Sequence, residues 1–212
     1  MGMTRRDFLV TAAGATTSVG GKLRRPAGWV LLDLKGDCLR ESVAGYQAAL
    51  HPRLLSAQLP DLPRCAALIV PGALDISPAV ARAIVAALHA GATVILESAA
   101  GFIAEQDFRA HRAVLRDALG VHIDAAQQLW PRSVPYIDFG WPYVTKLRDF
   151  SRVVRLAAQP GAVIASVDGF PVALKRFGPG TLIFLGSPVG PALWSGDVEA
   201  RAWLSAVLAT AS

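Results

Sequence analysis

Between Ala66 and Leu96 the chain spells out a complete strand–helix–strand unit, and this unit constrains the fold more than any other stretch. Ala66–Val70 is a continuous apolar run ended by Pro71-Gly72. Ser77 then offers an N-cap and Pro78 the first helical position, where its missing N–H costs nothing. Val80, Ile84, Ala87 and Leu88 fall on one helical face, Gly91 supplies a left-handed stop, and Ala92–Leu96 is a second apolar run. Apolar runs without alternation are strands covered on both faces, as in a parallel sheet. Two of them joined by an amphipathic helix imply a right-handed crossover.

The same grammar extends in both directions. Trp29–Leu34 reads as a first strand, Glu41–Leu50 as a helix stopped at His51-Pro52, and Leu54–Leu59 as a second strand. Asp107–Leu119 reads as a helix with Phe108, Leu115 and Leu119 on one side and Gly120 as its stop. From Trp130 to Tyr143 the regular pattern gives way to a Pro- and aromatic-rich segment. Val163–Val167, Val172–Phe177 and Thr181–Leu185 are strands, the last two flanking a Gly178-Pro179-Gly180 turn as an antiparallel hairpin. A final helix runs from about Asp197 to Leu208. The expected class is α/β: a flavodoxin-like three-layer sandwich, with a mainly parallel sheet, helices on both faces and a C-terminal antiparallel hairpin. With 212 residues and 53% hydrophobic content, one domain over 28–212 can bury an ordinary core.

Residues 1–27 read as a separate leader. Arg5-Arg6-Asp7-Phe8-Leu9 resembles the twin-arginine export consensus, and a mildly apolar stretch rich in Ala, Gly and Thr follows to about Val19. The resemblance implies the twin-arginine translocon as a partner. It implies a periplasmic location, or retention at the membrane by an uncleaved signal. Five basic residues and one acid precede Gly28, so most of the net charge of +5 belongs to the leader and the body is close to neutral. No Lys/Arg stripe interleaved with aromatics marks a nucleic-acid footprint. No apolar run reaches the roughly 20 residues of a plain transmembrane helix. Cys38 follows the first strand and Cys65 begins the third, at opposite ends of strands about 17–20 Å long, too far apart for a disulfide. Their spacing suggests no metal site, and no Gly-rich nucleotide loop indicates a cofactor.

Four motifs in order carry a resemblance: Pro71-Gly72; Ala90-Gly91-Ala92 through Glu97; Leu119-Gly120-Val121; and Phe177-Gly178-Pro179-Gly180 through Gly186-Ser187. This order resembles the class I glutamine amidotransferase-like superfamily, particularly non-catalytic branches such as ThuA-like proteins and the β-galactosidase trimerisation domain. Catalytic members use a Cys on a sharp turn after a strand, with a later His and Glu. Here that position reads Glu97-Ser98, and no histidine follows His122. A hydroxyl without a positioned base is a poor nucleophile. The resemblance therefore implies a non-catalytic exported domain that binds a small ligand or a partner protein.

The carboxyl ends of parallel strands are where such folds bind ligands, and these offer Asp33, Lys35, Gly72, Glu97, Ser98 and Ser187. Two alternatives accompany the binding role. One is a Ser-dependent hydrolase or amidotransferase-like enzyme using Ser98 with Glu97 or a histidine brought in from elsewhere; Glu97 with Asp33 is a further acid/base pairing. The other is an accessory or oligomerisation subunit, including a homo-oligomer, that makes contact through Trp130, Tyr136, Trp141 and Tyr143. Replacing Arg5 and Arg6 together with lysine is expected to keep the protein in the cytoplasm. Fractionation of cells expressing the two forms checks this; periplasmic recovery of the double-lysine form would contradict the twin-arginine reading.

Overall fold

The structure, a computed structural model, describes residues 28–56, 62, 65–124, 136–149 and 153–211. Residues 1–27, where the export signal with Arg5, Arg6, Phe8 and Leu9 is expected, and also Trp130 lie outside the described residues. Among the described residues nine strands form one sheet: β1 (Trp29–Asp33), β2 (Arg53–Ser56), β3 (Ala67–Ala73), β4 (Thr93–Ser98), β5 (Tyr136–Phe139), β6 (Thr145–Arg148), β7 (Ala162–Val167), β8 (Phe170–Phe177) and β9 (Thr181–Leu185). The spatial order is β2-β1-β3-β4-β9-β8-β7-β5-β6. The helices are α1 (Arg40–Leu50), α2 (Pro78–His89), α3 (Glu105–Leu119), α4 (Gly190–Trp194) and α5 (Val198–Ala209).

The sheet is mixed, which corrects the expectation of a mainly parallel flavodoxin-like sandwich. The pairings from β2 through β1, β3 and β4 to β9 are parallel. Those from β9 through β8, β7 and β5 to β6 are antiparallel. The fold remains α/β, but half of the sheet is a wing built from hairpins. The Pro- and aromatic-rich segment is the source of the difference. Its described strand, β5, alternates, with Ile137 and Phe139 buried and Tyr136 and Asp138 exposed, and β6 follows directly after it. That is the signature of a strand covered on one face only, and four-residue strands are too short to stand out from a loop.

Strand residues alternate between two cores. Val30, Leu68, Val94, Leu96 and Phe184 face α2 and α3, where Val80, Ile84, Phe108 and Leu115 meet them. Leu31, Ile69, Ile95 and Ile183 face the other way, against Tyr46 of α1, Leu193 of α4 and Trp203, Leu204 and Val207 of α5. Trp203 also fastens the wing: its ring lies edge-on to Phe139 at 5.0 Å between centroids, and its Nε1–H donates to the Trp141 carbonyl at 2.9 Å. Trp141 is thereby partly buried against this second core.

Helices α1 and α4 approach until their backbones touch. A Cβ on Gly45 would lie 2.0 Å from the Gly190 carbonyl oxygen, and one on Gly190 would lie 2.4 Å from the Ser42 Cα. In an exposed helix, Gly→Ala stabilises by about 1 kcal/mol. Gly45→Ala is expected to do the reverse and destabilise by about 3 kcal/mol, because backbone cannot yield as a side-chain tip can. Urea denaturation of the two forms measures the sign.

Candidate functional site

The carboxyl end of β4 carries the two side chains of greatest chemical interest, Glu97 and Ser98. Both are 0% exposed. Consecutive strand residues point to opposite faces, so the pleat separates the two. Glu97 projects toward α1 and α4, and Ser98 toward α3.

Glu97 is a carboxylate saturated with donors. Its Oε1 accepts from the Tyr46 hydroxyl at 2.5 Å and from the backbone N–H groups of Val189 at 2.8 Å and Gly190 at 3.1 Å. Its Oε2 accepts from the Gly72 N–H at 3.1 Å. Gly72 sits at φ +46°, and a Cβ there would lie 2.6 Å from the Ser42 Oγ, so glycine lets the turn reach the carboxylate. One side chain thus ties together α1, the end of β3 and the start of α4. Burial pushes its pKa up to about 7, while the four hydrogen bonds, Tyr46 first, pull in the opposite direction.

Ser98 has a different partner. Its Oγ lies 3.0 Å from Nε2 of His111 and accepts from the Ala100 N–H at 3.2 Å. His111 stands on the buried stripe of α3 with Phe108, Leu115 and Leu119. It is 0% exposed, and among the described residues its Nδ1 has no hydrogen-bond partner. Burial lowers its pKa to about 4, against a smaller upward pull from Asp75. The imidazole is therefore neutral near pH 7, a state able to accept a proton. No carboxylate of the described residues hydrogen-bonds its Nδ1, as the acid that orients the base does in a catalytic triad. Ser98 also keeps an ordinary backbone: among the described non-glycine residues only Lys35, His51 and Asp168 have positive φ. A strained nucleophile elbow is not formed.

The remaining sequence-predicted residues do not converge on this point. Asp33 is the last residue of β1 and Lys35 follows it; β1 is separated from β4 by β3, so Asp33 and Glu97 are not on adjacent strands. Asp33 accepts the Lys35 N–H at 2.7 Å. Gly72 joins Glu97 through its backbone, and Ser187, two residues past β9, is buried. On the wing, Tyr136 and Tyr143 are exposed. Trp141 is half-buried, with the Lys175 ammonium 3.9 Å above its ring. Cys38 and Cys65 are free and buried. Among the described residues no group of three or more His, Cys, Asp or Glu could hold a metal, and no helix is long and apolar enough to cross a membrane. His111 is the residue that sequence reasoning passed over. Its signal was present, three residues after Phe108 and four before Leu115 on the same stripe.

No protein-family model and no curated protein matches this sequence. Solved structures do share the fold. An exo-β-1,4-mannosidase from Opitutaceae bacterium strain TAV5 superposes with a TM-score of 0.61 at 14% identity, over 86% of this chain and 36% of that one. A polyextremophilic β-galactosidase from the Antarctic haloarchaeon Halorubrum lacusprofundi gives 0.58 at 14% identity, over 82% and 30%. A cytoplasmic protein of Salmonella typhimurium LT2 gives 0.58 at 13% identity, over 88% of this chain and 100% of its own. The likeness is one of fold. This chain spans about a third of the length of the two glycosidases, and the Salmonella protein has no more than the shared fold.

The two buried groups make opposite contributions to pH dependence. Glu97, raised from 4.5 to about 7, favours the folded state fully below pH 4.5 and loses that contribution as pH rises through 7. His111, lowered from 6.5 to about 4, favours it fully above pH 6.5 and loses that as pH falls through 4. Between these limits the two slopes nearly cancel. His111→Gln is expected to leave a protein that loses stability from pH 5 to 7, by on the order of 2–3 kcal/mol. Glu97→Gln should instead lose it as pH falls through the same range. Urea midpoints across that range test both signs.

Proposed function

We propose that this chain is an exported, non-catalytic domain that works by binding a small ligand or a partner protein. One observation carries the reading: the pleat of β4 sends Glu97 and Ser98 to opposite faces, and each is closed off from solvent. Glu97 cannot serve Ser98 as a base, because its acceptor sites are filled by α1, β3 and α4 on the far side of the sheet. The glycosidase neighbours support a role as a module, since in them this fold makes up about a third of a longer chain. For an accessory or oligomerising role, exposed Tyr136, Tyr143 and Val144 on the antiparallel wing supply the contact surface, and a second copy of the chain is one such partner. The export part of the proposal rests on Arg5-Arg6-Asp7-Phe8-Leu9, with the periplasm as the place of action.

A second reading draws on the 3.0 Å contact of Ser98 with His111. That distance suits proton transfer from a serine hydroxyl, and a Ser–His hydrolase would need α3 to move aside to admit substrate. The two readings separate in one experiment. Purified protein exposed to a fluorophosphonate probe is expected to remain unlabelled, and Ser98→Ala should leave binding intact. Labelling that disappears in both Ser98→Ala and His111→Gln would establish the hydrolase instead.

A further inference from the structure

The end of β1, the β1–α1 connection and one side of α1 border an open cleft that is separate from the Glu97–Ser98 region. Asp33 ends β1, and Lys35 and Cys38 come from the connection. Arg40, Val43, Ala44 and Gln47 come from the helix, spaced as one side of an α-helix requires. The cleft measures about 330 Å³, a size suited to a small molecule. It opens at the carboxyl end of β1, where the chain leaves for β2 on one side and returns to β3 on the other. Reversals of this kind are where open α/β sheets form ligand crevices.

We propose that this cleft binds a small hydroxylated carboxylate, of the sugar-acid class. The side chains of Lys35 and Arg40 are exposed and form no ion pair with any described residue. Arg40 presents the planar fork that matches a carboxylate. Two cations face one acid, Asp33, because the neighbouring acids Asp37 and Glu41 do not line the cleft. Asp33 is fixed in place: its Oδ1 holds the Lys35 N–H at 2.7 Å, at a residue with φ 56°, and receives the Cys38 thiol at 3.7 Å. Its Oδ2 has no described partner and is left to accept a ligand hydroxyl. Gln47 adds an amide able to donate and accept, while Val43 and Ala44 give an apolar wall for a carbon skeleton. Cys38 stays a neutral thiol, since burial first and Asp33 second push it up to about 11. It therefore adds no charge against the anion and no nucleophile.

The inference does not depend on the chain being non-catalytic, and its test is independent of the fluorophosphonate experiment. Isotope-labelled full chain is titrated with D-glucuronate, D-glucose and acetate and followed by amide NMR. Glucuronate is expected to give saturable shifts confined to residues 33–47. Glucose, which lacks the carboxylate, and acetate, which lacks the hydroxyls, should each bind at least about tenfold more weakly, the equivalent of one lost charge-assisted contact. Arg40→Met should reduce glucuronate affinity by about tenfold or more, and Asp33→Asn should narrow the preference for glucuronate over acetate. Arg40 is exposed on the helix surface, so its variant reports on binding even if a change at Asp33 disturbs the connection. Equal responses to glucuronate and acetate, unchanged affinity in Arg40→Met, or no saturation would overturn the proposal.

Discussion

The carboxylate of Glu97 is the tie on which the parallel half of the molecule is organised. Its partners come from three stretches far apart in sequence: Tyr46 on α1, Gly72 at the end of β3, and Val189 and Gly190 at the start of α4. A carboxyl group buried in this way is costly unless its polar atoms are paired, and here all three segments must be in place to pair them. The close contact of α1 with α4 follows from the same requirement. Glycines at positions 45, 72 and 190 remove the side chains that would otherwise hold the donors at a distance.

Much of the parallel half was legible in the sequence, for a physical reason. Strands buried on both faces are continuous apolar runs, and the helices between them carry their own start and stop signals. Ser77 accepts from the Val80 N–H as the expected N-cap, and Gly120 ends α3 at φ +60°. The wing was not legible in the same way. β5 and β6 pack only one face, so their apolar content is halved, and their length of four residues leaves too few alternations to identify. Helix α4 is a single turn held by contacts distant in sequence, which no local pattern announces.

The site shows a similar division. Glu97 and Ser98 were recognisable as a polar pair ending an apolar strand, but their relation to each other depends on the pleat. Adjacency in sequence suggested cooperation, while alternation places them in different environments with different partners. His111 lay in plain view on the stripe of α3, yet a histidine among apolar residues has no sequence mark that separates a core position from a functional one. Arg40 and Gln47 became notable only once the side of α1 that they share was seen to border Asp33 and Lys35.

Strand β9 sits at the junction between the two halves, parallel to β4 and antiparallel to β8. It follows β4 only after a long stretch of sequence, so β4 waits for its second neighbour until all of the intervening chain has been made. Val189 and Gly190, which complete the shell around Glu97, emerge later still. Until that stretch is made, β4 has an unpaired edge and Glu97 lacks two of its four donors. Assembly of the sheet around Glu97 therefore depends on contacts of long sequence separation, which form slowly, and a chain halted before β9 would present an unfinished half-sheet to chaperones and proteases.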